Sequence, residues 1–254
     1  MSRSRLDAEL VRRGLAASRT DAKRLVEQAR VEVRGIPTPK AASLVTSDVP
    51  IRLTSDEPRY VSRGAHKLIG ALDAFGIDPG GRRALDAGAS TGGFTQVLLE
   101  RGAASVVALD VGYGQLDEAL RSDPRVVVME RTNLRHVAYG ELGERFPLIV
   151  GDLSFISLCT VAEALAGLAA PGADLVLLVK PQFEAGRADV GRGGIVRDPL
   201  VRRRAVEKVM LCLDDAGLGA QGVSPSPLAG ADGNREVFLW CRAGAVRMDL
   251  EVPA

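Results

Sequence analysis

Four ionisable side chains stand at or beside the predicted ends of β-strands, namely Lys67, Asp152, Lys180 and Glu236. A single lysine is usually a solvated surface charge, but Lys180 directly follows the apolar run 175–179 and so emerges from a buried strand. Two lysines in a partly desolvated pocket repel each other, and both effects lower the pKa of an amine. A neutral amine can take the proton of a ribose 2′-hydroxyl, and carboxylates can orient it. We therefore predict a catalytic group with Lys180 as the general base.

A glycine-rich stretch, residues 86–94, follows a predicted strand and opens a predicted helix. Its spacing, D-x-G-x-x-x-G-G, differs from the G-x-G-x-x-G of dinucleotide-binding loops. Asp110 ends the next strand, 22 residues after Gly88, where a carboxylate can accept from both ribose hydroxyls of a nucleoside. S-adenosylmethionine has this ribose and no pyrophosphate, so it fits better than NAD; a tight turn that needs glycine for packing alone is the alternative. The predicted cofactor-binding residues are Asp86, Gly88, Ser90, Thr91, Gly92, Gly93, Phe94, Asp110, Val111 and Asp152.

Apolar strands alternate with amphipathic helices from residue 83 onward. This alternation predicts an α/β fold with a parallel, doubly wound sheet. Two strand-like segments around a Gly-rich turn end the chain and predict a hairpin at the sheet edge, which is typical of class I (Rossmann-like) methyltransferases. The predicted strands cover residues 84–86, 105–110, 126–129, 148–150, 175–179, 222–227 and 236–241, and a predicted helix covers residues 94–101.

The beginning of the chain is basic, while the rest is acidic. Residues 1–67 carry 14 Lys/Arg and 8 Asp/Glu, a net charge of +6, and the remaining 187 residues carry −5. Leucines at helical spacing predict one short helix, and Ser18 with Asp21 three residues later predicts the start of a second. Alternating runs at 31–33 and 51–53 predict a small sheet. The charge indicates a polyanion-binding appendage, with a solvated arginine-rich surface as the alternative.

Length and composition limit the class of protein. The chain has 254 residues, of which 46% are hydrophobic and 26% charged, so disordered and fibrous classes are excluded. The longest apolar stretch, 161–179, is interrupted by charged residues and proline, and the first ten residues have no apolar core. We therefore expect a cytoplasmic protein without a membrane span or signal peptide. Three distant cysteines and two histidines argue against a metal site and a disulfide framework, and Cys159 is interpreted as a core residue.

The segment RLDAELVRRGLAASRTDAKRLVEQARVEVRG resembles the small S4-like (α-L) RNA-binding fold of a ribosomal small-subunit protein, of pseudouridine synthases and of some tRNA synthetases. The resemblance covers most of that fold and implies RNA as the partner. Basic residues on its helices, together with two arginines farther along the chain, are the expected phosphate contacts. The predicted RNA-binding residues are Arg5, Arg12, Arg13, Arg19, Lys23, Arg24, Arg59 and Arg63.

Seven further segments look like those of the TlyA family, the bacterial haemolysin A type of rRNA methyltransferases. They are RYVSRGAHKL, DAGASTGGFTQVLLERGA, DVGYGQL, DPRVVVMERTN, DLSFISL, LVKPQFEAG and GNREVFLW. The resemblance implies an S4-like domain at 1–57, a linker at 58–64 and an FtsJ-like methyltransferase domain at 65–254. The linker departs from the family pattern Arg-x-Trp-Val, because it reads Pro58-Arg59-Tyr60-Val61, with the arginine displaced by one position.

The same resemblance implies an activity. The family methylates the ribose 2′-hydroxyl of cytidines in 16S and 23S rRNA with S-adenosylmethionine, and in actinobacteria this influences sensitivity to capreomycin-type antibiotics. Its Lys-Asp-Lys-Glu tetrad maps onto Lys67, Asp152, Lys180 and Glu236, and Phe155 falls where the family contacts the cofactor. The expected partners are rRNA or ribosomal subunits. We expect a monomer without a metal or a stable membrane association.

Several alternatives fit the residues less well. A base amino-methyltransferase usually has Asn/Asp-Pro-Pro-aromatic after the fourth strand, where this chain has DLSF, and cytosine carbon-5 chemistry needs a cysteine nucleophile nearby. A small-molecule methyltransferase would have no evident use for the basic N-terminal region. A membrane-active haemolysin and a non-catalytic RNA-binding assembly factor are the rivals from other classes. This chain lacks the long apolar segment that a membrane-active haemolysin would use, and a non-catalytic assembly factor would not need the tetrad.

Overall fold

The computed structural model describes residues 3–28, 30–38, 40–54, 60–137, 140–191, 193–230 and 233–253. The chain divides into two compact units, Met1–Arg63 and Gly64–Ala254, which we call the N-terminal and C-terminal units. Pro58 and Arg59 of the predicted linker lie outside the described residues, as do two residues of the predicted Gly-rich turn near the end of the chain.

The N-terminal unit combines two short helices with short antiparallel strands. Its elements are β1 (Arg3–Arg5), α1 (Leu6–Arg12), α2 (Arg19–Glu27), β2 (Val31–Val33), β3 (Ile36–Pro37), β4 (Leu44–Thr46) and β5 (Ile51–Leu53). Both predicted helices and the predicted strands at 31–33 and 51–53 are confirmed. The Ser18 hydroxyl accepts a hydrogen bond from the Asp21 backbone N–H and so caps α2, as predicted. The β1–β4 pair was not predicted, because residues 3–5 and 44–46 lack the apolar–polar–apolar alternation of the two predicted strands.

The C-terminal unit is an α/β fold around one large sheet. Its elements are α3 (Gly64–Phe75), β6 (Arg83–Ala87), α4 (Gly93–Glu100), β7 (Ser105–Leu109), α5 (Glu118–Arg121), β8 (Val126–Met129), β9 (Phe146–Gly151), α6 (Leu158–Leu168), β10 (Ala169–Val179), α7 (Pro181–Glu184), α8 (Pro199–Asp215), β11 (Leu218–Pro225) and β12 (Val237–Ala243). No helix in the described part of the chain has the length and apolarity that a membrane span requires.

The seven strands lie in the order β11-β12-β10-β9-β6-β7-β8. Strands β6 to β10 run parallel, while β12 is antiparallel to both of its neighbours, which confirms the predicted parallel sheet with an edge hairpin. The runs 148–150 and 175–179 are completely buried, as expected for strands covered by helices on both faces. Strand β10 begins at Ala169, earlier than predicted, because Pro171 and Gly172 interrupt the apolar sequence pattern. The pairing with β9 has a register shift in the same segment.

Two cysteines of the C-terminal unit form a disulfide. Cys159 of α6 and Cys212 of α8 are joined with their Cα atoms 5.3 Å apart, while Cys241 is free and buried. The argument against disulfides is therefore wrong for this pair, whereas Cys159 does pack against the hydrophobic core, as interpreted. Helices α6 and α8 pack against each other, so residues 53 positions apart in sequence become neighbours in a way that cysteine spacing does not reveal.

A buried carboxyl group lies at the carboxyl end of β6. Asp86 is fully buried, and the Thr95 hydroxyl of α4 donates a hydrogen bond to its Oδ2 at 2.7 Å. Its Oδ1 has no hydrogen-bond partner among the described residues. Burial raises the pKa of Asp86 to about 7, although the Thr95 hydrogen bond opposes this shift. The side chain therefore joins strand to helix partly in its neutral form near neutral pH.

We predict that Asp86→Asn increases the stability of the C-terminal unit above neutral pH. The folded protein retains a proton that the unfolded chain releases above pH 4 or so, so the free energy of unfolding of the parent falls as pH rises from about 4 to about 7. Asparagine removes this titration and keeps an acceptor for Thr95. We expect the variant to gain roughly 1–4 kcal/mol at pH 8 relative to the parent.

Urea denaturation at several pH values, followed by the fluorescence of Trp240 in β12, measures this effect in the full chain. Asp78→Asn is the matched control, because this carboxylate is exposed and the variant should retain the pH profile of the parent. An Asp86→Asn variant with the same dependence on pH as the parent would contradict the assignment.

Candidate active site

Two of the four predicted catalytic residues follow the carboxyl ends of central parallel strands, and a third reaches the same edge of the sheet. Asp152 follows β9, and Lys180 follows β10. Glu236 precedes β12, which is antiparallel, so that Val237 lies opposite Val179 in the register and Glu236 reaches the same edge. Helix α3 contributes Lys67 near its first turn.

Lys180 is held by two oxygens from the loop after β9. Its Nζ lies 2.6 Å from Oδ1 of Asp152 and donates a hydrogen bond to Oγ of Ser154 at 2.7 Å. The Asp152 backbone N–H in turn donates to the Ala87 carbonyl at 3.0 Å, which fixes the start of this loop against β6. The position of the amine is therefore set by both neighbouring strands.

Lys67 and Glu236 form a second, more deeply buried pair. Lys67 Nζ donates to Oε2 of Glu236 at 2.5 Å, and both residues are buried. Burial raises the pKa of Glu236, and the positive charge of Lys67 opposes this shift. A Cβ atom on Gly230 would lie 2.5 Å from Oε1 of Glu236, so glycine is the residue that allows the loop to pass the carboxylate. Gly70 of α3 similarly allows close packing against Pro227.

The structure therefore brings all four predicted residues together. Lys180 and Asp152 both lie near enough to Glu236 for their charges to affect its ionisation. The sequence indicated two lysines that repel each other, whereas in the structure each ammonium group faces its own carboxylate. The carboxylates consequently offset the repulsion between the lysines as well as orienting them.

A cavity of about 520 Å³ opens beside the Lys180–Asp152 pair. Its walls are largely apolar, with a few convergent polar groups, which is the usual composition of a small-molecule site. The residues that line it are Gly88, Ser90, Leu109, Asp110, Val111, Gly112, Gln115, Thr132, Asn133, Leu134, Asp152, Leu153, Ser154, Phe155, Ile156 and Val161.

The glycine-rich loop approaches the loop after β9 very closely. Gly88 has a φ of +87°, and a Cβ atom there would lie 2.9 Å from the Asp152 carbonyl oxygen. Ser90 also has a positive φ, +49°, and its backbone N–H donates to Oδ2 of Asp110 at 2.8 Å. Gly112 N–H donates to Oδ1 of the same carboxylate at 2.7 Å. Asp110 is thus fixed at the cavity wall with lone pairs still available to a ligand.

The predicted cofactor-binding residues divide into two groups. Six line the cavity, namely Gly88, Ser90, Asp110, Val111, Asp152 and Phe155. The others are not in the lining, and they lie in β6, in the loop after it and at the start of α4; these are Asp86, Thr91, Gly92, Gly93 and Phe94. Sequence reasoning missed Gln115, Thr132 and Asn133, which lie in the loops after β7 and β8. Their position beyond the carboxyl ends of two parallel strands was the available signal.

One exposed aromatic residue, Phe155, lines this cavity and packs against the half-buried ring of Phe183. Phe155 is 91% exposed and has a φ of +64°, a conformation that is strained for a bulky residue. Its ring centroid lies 5.2 Å from that of Phe183 in α7. Such strain tends to occur at functional sites.

The N-terminal unit carries most of the predicted RNA-binding residues on α1, α2 and the segments beside them. Asp7 pairs with Arg5 and Arg19, each at 2.9 Å, while Glu9 pairs with Arg12 and Arg13. Hydrogen bonds from these guanidinium groups hold the pKa values of both carboxyl groups well below their usual range.

The remaining predicted RNA contacts have less buried partners. Lys23 pairs with Glu27, and Arg24 pairs with Asp21. Arg63 is partly buried at the end of the unit. The basic side chains of α1 and α2 are therefore positioned by acids of their own unit, and most of them remain more than half exposed.

Comparison with known proteins connects this geometry to one family. A family model for FtsJ-like methyltransferases matches residues 60–243. The 16S/23S rRNA (cytidine-2′-O)-methyltransferase TlyA of Mycobacterium tuberculosis is 56% identical over 94% of this chain and 90% of its own length. The solved structure of a protein described as a putative hemolysin from Streptococcus thermophilus is 36% identical, covers 97% of this chain and 90% of that chain, and has a TM-score of 0.76.

A more distant structure bears on the fold alone. The S-adenosylmethionine-dependent methyltransferase from Mesorhizobium loti is 18% identical, covers 68% of this chain and 96% of that chain, and has a TM-score of 0.51. Its similarity agrees with the class I fold predicted from the alternation of strands and helices. Because the family model covers residues 60–243 and a 56% identical relative aligns over 94% of the chain, the chain belongs to the FtsJ-like methyltransferases and, within them, to the TlyA family.

Proposed function

We propose that this methyltransferase transfers the methyl group of S-adenosylmethionine to the ribose 2′-hydroxyl of a cytidine in 16S or 23S rRNA. The observation that carries the proposal is the double role of the loop after β9. Asp152 and Ser154 line the large cavity and also contact Nζ of Lys180. A base next to a nucleoside-sized cavity is the arrangement that group transfer to a hydroxyl needs.

The residues of the cavity fit S-adenosylmethionine. Its volume of about 520 Å³ lies within the range of small-molecule sites, and Leu109, Leu134 and Ile156 provide apolar wall for an adenine ring. The Asp110 carboxylate can accept from ribose hydroxyls, and the absence of a side chain at Gly88 leaves room for close approach of the backbone. When bound, S-adenosylmethionine supplies a methyl group on a positively charged sulfur.

Lys180 then acts as the base for the acceptor hydroxyl. In its neutral form, Nζ would accept the 2′-hydroxyl proton as the oxygen bonds to the methyl carbon. The bond from that carbon to the donor's sulfur would break in the same step, which leaves a neutral thioether. The Asp152 carboxylate stabilises the ammonium group that results, and Ser154 keeps the nitrogen in one orientation. Lys67, fixed by Glu236, provides a second positive charge that stabilises negative charge on the reacting oxygen.

The N-terminal unit supplies the affinity for RNA. We propose that it is an S4-like domain whose exposed basic side chains contact phosphates, since its buried acids hold several guanidinium groups in fixed positions. RNA is favoured over DNA because only RNA has a 2′-hydroxyl. The name of the mycobacterial relative supports cytidine in rRNA as the target.

A membrane-active haemolysin is the second candidate function, and the descriptions of two similar proteins favour it. They are the hemolysin A of Brachyspira hyodysenteriae, 37% identical over 91% of this chain, and the streptococcal structure. A variant that loses methyl transfer distinguishes the two functions, because lysis that depends on membrane insertion does not need a neutral amine at position 180.

We predict that Lys180→Ala decreases kcat for methyl transfer to rRNA by at least about 100-fold, because the 2′-hydroxyl loses its proton acceptor. The affinity for S-adenosylmethionine should stay within about threefold, since Lys180 does not line the cavity. Mass spectrometry of nuclease-digested rRNA measures the methylated product, and calorimetry measures donor binding.

Lys208→Ala is the control for this experiment. Lys208 lies on α8, and its Nζ donates to the Glu184 carbonyl at 3.0 Å, outside the tetrad. Its variant should retain the rate of the parent. Wild-type turnover in Lys180→Ala, or a methyl group found on the base instead of the ribose, would refute the proposed chemistry.

We predict that Gly88→Ala weakens donor binding by about tenfold or more, because a Cβ atom would push against the Asp152 carbonyl oxygen. Gly114→Ala is the matched control. Gly114 has a similarly positive φ, +67°, but its Cβ atom would meet nothing within 4 Å. Equal donor affinities for the two variants would show that backbone strain alone, without the contact to Asp152, accounts for any effect at Gly88.

We predict that the triple variant Arg12→Gln, Lys23→Gln, Arg24→Gln binds rRNA more weakly and with a smaller dependence on salt. Each lost phosphate contact should reduce the slope of log K against log salt by about 0.7–0.9. These residues are chosen because they are exposed and because Glu9 retains Arg13 as a partner. Filter binding at several salt concentrations provides the slope.

Arg125→Gln serves as the comparison, because Arg125 is an exposed, ion-paired arginine of the C-terminal unit. Its slope should equal that of the parent. If the triple variant also keeps the parental slope, then the basic face of the N-terminal unit does not contact RNA.

A further inference from the structure

A second cavity, of about 290 Å³, has Glu236 of the tetrad in its wall. Its wall includes Pro225 at the end of β11, Glu236 and Val237 at the start of β12, and two arginines, Arg202 and Arg235. Pro225 pairs with Val237 in the register, and Val237 pairs with Val179, so this cavity lies at the edge of the sheet that holds the tetrad. We call it the arginine pocket.

Arg202 is a buried cation without an acidic partner among the described residues. It lies in the first turn of α8 and is 9% exposed. Its Nη1 donates to the carbonyl of Arg197 at 2.7 Å and, more weakly, to that of Val196. A buried guanidinium group is normally paired with a carboxylate, because removal from water is unfavourable for an isolated charge. The wall of the pocket therefore has a positive charge that an anionic ligand could neutralise.

Glu236, the acidic residue in the described wall, does not neutralise the charge of Arg202. The Glu236 carboxylate is engaged by Lys67 at 2.5 Å and packed against Gly230. Arg235 adds a second guanidinium group from the residue beside it, and this side chain is exposed. The described lining thus has two positive groups, while its single negative group is already neutralised.

We propose that the arginine pocket binds a phosphodiester group of the RNA strand next to the nucleotide that is methylated. This inference rests on the proposed function. Guanidinium groups present planar sets of N–H donors that match phosphate oxygens. Because Glu236 belongs to both the tetrad and the pocket wall, a phosphate held there positions the neighbouring ribose relative to the catalytic amine. Arg202 and Arg235 are therefore positioning residues.

The test compares Arg235→Gln, Arg202→Gln and Arg202→Lys with the control Arg203→Gln in the full-length protein. Arg203 is adjacent to Arg202 on α8 but is outside the pocket, where it pairs with Glu207 at 2.8 Å. Steady-state methylation of rRNA is measured at several salt concentrations. We expect KM for RNA to rise about tenfold in Arg235→Gln and in Arg202→Gln, with a smaller change in kcat.

The salt dependence of kcat/KM provides a readout that a purely structural defect would not change. Its log–log slope should fall by about 0.7 in each glutamine variant, as for one lost phosphate contact on a single strand, and Arg203→Gln should keep the parental slope. Arg202→Lys retains the charge, so it should recover most of the slope without all of the affinity. Parental slopes in both glutamine variants would overturn the proposal.

A binding measurement without turnover separates this proposal from the proposed function. The probe is the trinucleotide CpCpC, titrated into the protein while the side-chain Nε–Hε signals of arginines are followed by NMR. We expect the signals of Arg202 and Arg235 to shift, and the shifts to disappear when the internucleotide phosphates are replaced by neutral methylphosphonates. Shifts confined to other arginines would overturn the pocket assignment even if the enzyme methylates RNA. Shifts at these two arginines would support the assignment even if methyl transfer to the ribose is not observed.

Discussion

The ion pair between Lys180 and Asp152 is the contact on which the arrangement of the site depends. It joins the carboxyl ends of two adjacent parallel strands, because Asp152 follows β9 and Lys180 follows β10. Asp152 also lines the large cavity and accepts the close approach of Gly88 at its carbonyl. One residue thus relates the position of the amine to the position of the cavity. A shift of the loop after β9 would alter both together, which explains why glycine is needed opposite it.

The second ion pair illustrates how the fold compensates an unfavourable environment. Burial disfavours the charged form of Glu236, and the contact with Lys67 opposes this effect. Removal of either partner would leave a buried charge, so the pair depends on the packing that holds it together. That packing includes Gly70 against Pro227 and Gly230 against the carboxylate. The small residues around the pair therefore have a definite role, which is to allow α3 and the loop before β12 to approach.

Much of this site could be predicted from sequence because parallel strands concentrate function at their carboxyl ends. Asp152 and Lys180 follow apolar runs, so their placement required only the strand boundaries. The pairing of each lysine with one carboxylate was not predictable, since it depends on the register between β9 and β10 and on the position of α3 beside the start of β12. The prediction of the cofactor-binding residues in the glycine-rich loop was incomplete in a similar way. Residues 86–94 were identified as one motif, yet Asp86 supports the helix behind the loop, and the loops after β7 and β8 contribute wall that no motif indicated.

The net charge of the N-terminal unit does not reveal how its acidic and basic residues are paired. The sequence assigns +6 to residues 1–67, but it treats acids and bases as independent charges. In the structure Asp7 and Glu9 are buried, and each is bound by two arginines. The acids therefore contribute little surface of their own, while they restrict the motion of guanidinium groups that remain partly exposed. A phosphate that binds such groups meets side chains that have already lost part of their rotamer freedom, so less entropy is lost on binding.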